Sequence, residues 1–260
     1  MREAGRGLFG RFFHPEARGG SDQAKAPEQG EASVYQNGQA ELRFKEYHNQ
    51  PETRALFTKM ADHLAPFLDH PVKVWLDHND SYNPGGNTPR RPDMQIDFDM
   101  VTINMDYWDG NELPDCFFHE VGHSLEDQLA SIAHQDGKEL LPSSGPGCQY
   151  QADLIACYIL RPEEFQKYLD IPAVKDTYQA IEQLFSGNNF DELRKALVGL
   201  MVDYRHGVET RYQASLARLN IPDAPDNLAR PAWLAEDYEF KPFNSRSFRA
   251  IEKVYREKQD

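Results

Sequence analysis

Over residues 52–67 the apolar side chains Leu56, Phe57, Met60, Ala61, Leu64 and Phe67 recur at three- and four-residue intervals, which predicts a helix with one buried face. Residues 72–76 then alternate as a strand would, and residues 79–92, with Pro84-Gly85-Gly86 among them, read as a loop. Met94, Ile96, Phe98 and Met100 alternate with Gln95, Asp97 and Asp99, and Val101, Ile103 and Met105 continue after a register break. That stretch predicts one or two strands of a half-buried sheet. Pro114 marks the start of a helix that directs Phe117, Phe118, Val121, Leu125, Leu129 and Ile132 to the core and stops near Gly137. A turn-rich loop at 143–147 follows, then helices over 151–160, 163–169, 174–185 and 190–219, with Pro162 as punctuation. A helix, then strands, then helices is the order of an α+β domain with a small mixed or antiparallel sheet and a mainly helical C-terminal half.

The two ends differ from this middle. Residues 18–33 are rich in Gly, Ser, Ala, Glu and Gln without an aromatic side chain, so residues 1–40 are expected to form a disordered N-terminal segment. Residues 41–221 are expected to hold the folded domain, and the Pro-rich, aromatic residues 222–260 an extension that packs on it. Arg2, Arg6 and Arg11 interrupt the apolar residues of the first fifteen positions, so no cleavable signal peptide is expected there. No run of about 18 apolar residues predicts a transmembrane segment. A cytoplasmic location, or export without a cleaved signal, is the expectation.

Charge narrows the partners. With 28 basic against 42 acidic residues the net charge is −14, and the surface repels phosphate backbones, so nucleic acid is not an expected partner. Cys116, Cys148 and Cys157 form no CxxC pair and no disulfide framework, which suits a reducing compartment.

One segment carries chemistry. His119 and His123 are four residues apart on a predicted helix, so both imidazoles project from one face about a turn apart. That spacing suits two ligands of a tetrahedral zinc ion, and Glu120 between them is placed to act as general base on zinc-activated water. The expectation is one zinc per chain and a hydrolase acting on a protein or peptide substrate. Gly122 costs the helix roughly 1 kcal/mol relative to Ala, which close backbone approach at that point would justify. The competing reading is two surface histidines on an amphipathic helix.

Downstream, Gln149-Tyr150-Gln151-Ala152-Asp153 completes a second motif. With the HExxH segment it resembles the gluzincins, in particular bacterial neutral zinc metallopeptidases and integral-membrane CAAX-type proteases, where HExxH is followed by Glu-x-Gln-Ala-Asp. The resemblance spans about residues 72–219 and implies a zincin-like fold and zinc-dependent peptidase activity. In that family the first Glu of the second motif binds zinc and the Asp orients a ligating His. Carried over, Gln149 occupies the ligand position, one negative charge short of the family pattern, and Asp153 holds His119 or His123. A related resemblance to small cytoplasmic zincins with Glu-x-x-Ala puts the ligand at Gln151 instead, and Asp153 itself is a third choice. The family also has a late His-Gly segment followed by Arg and an aromatic residue. Here His206-Gly207 and Arg211-Tyr212 match it with a spacing one residue short, which implies that His206 donates to the substrate oxyanion with Arg211 behind it.

Lesser candidates complete the picture. Cys116, Cys148 and His134 are alternative ligands, more simply read as buried thiols and a polar helix end. His78, with Asp77 and Asp80, reads as a strand end, and Tyr107-Trp108 as core or cleft lining. Loss of the carboxylate at position 149 leaves a second function open, a degenerate zincin serving as a binding or regulatory module.

Overall fold

A computed structural model of the chain describes residues 33–44, 50–77, 85–105, 112–143, 150–187, 190–218 and 246–255. Strands β1 (Ser33–Asn37) and β2 (Ala40–Phe44) form an antiparallel hairpin around Gly38, whose φ of 54° favours glycine. The hairpin starts at Ser33, so ordered sheet reaches into the 1–40 span assigned from composition to a disordered segment. Helix α1 (Pro51–Leu64) and a 3-10 turn at Ala65–Phe67 follow, then β3 (Val72–Asp77), β4 (Gly85–Thr88) and β5 (Asp99–Asn104). The five strands stand in the order β1-β2-β3-β5-β4. Strands β2, β3 and β5 run parallel, and β4 returns antiparallel along β5 as the edge.

Register explains which residues face the core. Leu42, Val74 and Val101 lie in one row across β2, β3 and β5, and Leu76 and Ile103 pair in the next row that shares their face. Leu42, Val74, Leu76, Val101 and Ile103 are buried under helices on that face, because strand side chains alternate with period two. No register break precedes Val101, since β5 pairs with β3 without interruption from Asp99 to Asn104, and Met94, Ile96 and Phe98 ahead of it do not form a strand. Pro92–Met94 is a 3-10 turn, Gln95 has a φ of 61°, and Met94 and Ile96 are exposed. Pro92 restricts the chain there, and Asp99 opens β5 with its carboxylate buried, accepting the Arg90 N–H at 2.7 Å and facing His70 Nε2 at 2.9 Å. The loop reading of residues 79–92 is corrected as well, because the Gly85-Gly86 stretch pairs with β5 as strand β4.

Helix α2 (Leu113–Gly122) is buried along its whole length. A 3-10 turn at His123–Leu125 separates it from α3 (Glu126–Gln135), where a single helix was expected to run towards Gly137. Helices α4 (Tyr150–Leu160), α5 (Pro162–Phe165), α6 (Pro172–Leu184) and α7 (Phe190–Arg218) follow, and α8 (Arg246–Tyr255) adds buried Ile251 to the core. The architecture is thus α+β, a five-stranded mixed sheet and a mainly helical C-terminal half. Among the described residues, no helix is long and apolar enough to cross a membrane.

Candidate metal centre

Helix α2 is fixed from three sides before any functional side chain is considered. On β4, Asn87 Nδ2 donates to the Glu120 carbonyl and to Ser124 Oγ, both at 3.0 Å, which ties the edge strand to the helix. At the other end of α2, buried Asp115 accepts two 2.8 Å hydrogen bonds from Arg161 Nη1, linking it to the end of α4. Removing either partner would strand a buried charge, so the pair sets the register of α2 against α4. Between these points the helices meet closely. A Cβ on Gly122 would stand 3.3 Å from Ala152 Cα and 3.4 Å from its carbonyl, so glycine is what lets α4 approach here.

That approach brings the two motifs together. Ligand atoms of His119, Glu120 and His123 lie within 4.8 Å of one another, the imidazole centroids 4.9 Å apart and nearly perpendicular. His119 Nδ1 lies 2.6 Å from Asp153 Oδ1, across the α2–α4 seam. His123 Nδ1 lies 2.7 Å from Glu126 Oε1, in the first turn of α3. An ionised carboxylate only accepts, so a ring that faces one donates from Nδ1 and leaves Nε2 as the nitrogen open to a metal. His123 Nε2 is buried and has no hydrogen-bonding partner. Burial raises the Glu120 carboxyl above its ordinary value, His119 and His123 offset part of that rise, and Asp153 adds to it.

These residues fit a metal. Two imidazoles held at Nδ1 by carboxylates, a buried orphan Nε2 and an adjacent carboxylate form the N/O donor set that zinc accepts. The same geometry argues against Asp153 as a ligand, because its carboxylate stands on the Nδ1 side of His119, away from Nε2.

The other expected site residues are not members of that group among the described residues. Gln149 and Cys148, with His78, Tyr107 and Trp108, lie outside the described residues. Gln151 is buried and donates from its amide nitrogen to the Leu141 carbonyl, while its Oε1 is buried without a partner. Cys116 is buried as a free thiol, its pKa pushed up chiefly by that burial, and His134 is exposed on α3. His206 is exposed on α7 and is not a member of the His-Glu-His group. Arg211 forms an ion pair with Glu52 of α1. Gly207 sits beneath that pair, where a Cβ would collide with the Glu52 carboxylate.

Sequence reasoning missed two positions. Glu126 was legible in principle, three residues after His123, whereas nothing local marks Asn87. The fold and site therefore define an α+β chain with a possible metal-binding His-Glu-His group on a buried helix. Comparison with family models, with curated proteins and with solved structures returns no match.

Proposed function

We propose that the chain is a zinc-dependent metallopeptidase, with His119 and His123 holding the metal through Nε2 and Glu120 acting as general base. The observation that carries the proposal is the paired anchoring of both imidazoles, with a buried Nε2 on His123 that nothing else satisfies. A bound zinc ion supplies Lewis acidity and lowers the pKa of water from about 15.7 to near 7. Glu120, raised above its usual range by burial, then takes the proton and passes it to the leaving amine. Strand β4, at the sheet edge and tied by Asn87 to the helix bearing Glu120, offers backbone groups along which an extended peptide can pair. His206 on α7 is the proposed donor to the scissile carbonyl oxygen, with Arg211 securing α7 to α1 through Glu52. Gln149 is the proposed third ligand, a neutral amide in place of the carboxylate of the resembling enzymes.

The test is metal analysis and hydrolysis of a quenched-fluorescent peptide library on the full chain and on Glu120→Gln. About one zinc per chain is expected in both, with hydrolysis lowered roughly 10²–10⁴-fold in the variant. A wild-type chain that takes no zinc ends the proposal. One that binds zinc without cleaving any peptide leaves the binding-module reading.

A further inference from the structure

We infer that Glu126 is a positioning residue for His123, acting opposite Asp153 so that each imidazole of the pair has its own carboxylate. The inference rests on reading the His-Glu-His group as a metal site. Asp153 has a counterpart in the resembling families; Glu126 is assigned by this chain's geometry alone.

Local helix geometry explains the pairing. Side chains at i and i+3 are offset around a regular α-helix but eclipse in a 3-10 turn. The chain adopts such a turn at His123–Leu125, opening on the third residue of the cluster, and resumes as α3 at Glu126. Leu125, at φ −102° and ψ −6°, lies in the bridge region that closes the turn. The result is Glu126 Oε1 at 2.7 Å from His123 Nδ1, with both side chains mostly sheltered from solvent at 15% and 21% exposure. Held this way, His123 presents Nδ1 to a carboxylate that can only accept, while its buried Nε2 has no hydrogen-bonding partner. The two imidazoles are thus fixed from different elements, His119 from α4 and His123 from α3.

A simpler role competes with this one. An acid in the first turn of a helix is favoured by the helix dipole whatever it touches, and Asp127 beside Glu126 satisfies that preference equally. The dipole role would leave zinc affinity and the imidazole tautomer alone; the positioning role would not.

Two measurements on the full-length chain separate them. Zinc affinity is read by competition with a chromophoric chelator, and the His123 tautomer by long-range proton–nitrogen correlation on metal-free protein labelled at histidine nitrogen. Glu126→Ala should weaken zinc about 10–100-fold and lose the Nδ1–H form of His123 while His119 keeps its own. Glu126→Gln, whose amide oxygen still accepts from Nδ1–H, should fall between wild type and Ala and retain that tautomer. Wild-type affinity in both variants, with an unchanged His123 spectrum, overturns the inference and leaves the proposed function standing. If the wild type itself takes no zinc, the proposed function fails, and the metal-free spectra still decide what Glu126 does to His123. Should the Ala variant not fold, Glu126→Gln decides by affinity: a value equal to wild type counts against the role.

Discussion

Two regions of the molecule bury a histidine Nε2 with no hydrogen-bonding partner, and they solve the problem differently. His63, on α1, sits among Phe67, Phe118, Phe185 and Phe190, with ring centroids 5.5–6.4 Å away and the Phe185 ring nearly parallel. Burial there, with a smaller contribution from Lys59, pushes its pKa down to about 4. This ring is kept neutral and behaves as one more aromatic in the core. His123 has the same orphan nitrogen, but a carboxylate 2.7 Å from its other nitrogen and a second imidazole against its face. An unsatisfied buried nitrogen alone therefore does not mark a metal site. It does so when the opposite nitrogen is anchored and further donors converge, because only then is a lone pair aimed and held.

The largest effect that bears on this contrast is metal loss. His123→Ala should reduce bound zinc to background, whereas His63→Leu should leave it at about one per chain; elemental analysis of the two proteins reads both. Equal zinc loss in the two variants would dissolve the distinction.

Acid stability comes next, from the His63 side. Between about pH 6.5 and 4 the unfolded chain binds a proton at this position that the folded chain refuses, so stability rises with pH across that window and is lost as pH falls. A shift of that size is worth at most roughly 3 kcal/mol at pH 4. Urea unfolding of wild type and His63→Leu at pH 7 and pH 4 should show the variant gaining on the wild type at the lower pH. A constant difference between them would mean that His63 does not titrate this way.

A smaller change is expected at the other carboxylate. Asp153→Ala should weaken zinc about 10–100-fold by freeing His119, without the complete loss seen on removing a ligand. Complete loss would restore Asp153 as a direct ligand, against the geometry above. The smallest effect concerns the contact that joins the two motifs. Gly122→Ala gains roughly 1 kcal/mol in helix propensity but places its Cβ against the backbone of Ala152 in a buried helix. Overpacking costs typically 1–3 kcal/mol, so a net destabilisation of about 1 kcal/mol is expected by thermal or urea unfolding. A stabilised variant would show that α4 can withdraw freely.

Most elements were legible because their signal is local. The 3.6-residue apolar period in α1 and α6 and the alternation in β3 each reflect burial of one face, and Pro114 and Pro162 punctuate where their missing N–H permits. Strand β4 escaped notice because its Gly-Gly-Asn-Thr sequence carries no apolar side chain to alternate; pairing with β5 defines it. Met94 and Ile96 misled for the opposite reason, alternating in sequence while lying exposed in a turn and a single bridge. In the site, the spacing of His119, Glu120 and His123 was evident from the helical period alone.

The sequence by itself determined the α+β order, the helix that carries the three clustered residues, and the glycine that thins it at position 122. These depend on interactions within a few turns of the chain, where period and propensity act directly. Only the tertiary structure decided which nitrogen of each imidazole is anchored and by what. The Asp153 contact crosses 34 residues of sequence and the Asn87 contact to the Glu120 carbonyl 33. Such contacts are chosen by how α4 and β4 pack on α2, and packing is a property of the whole core rather than of any one segment.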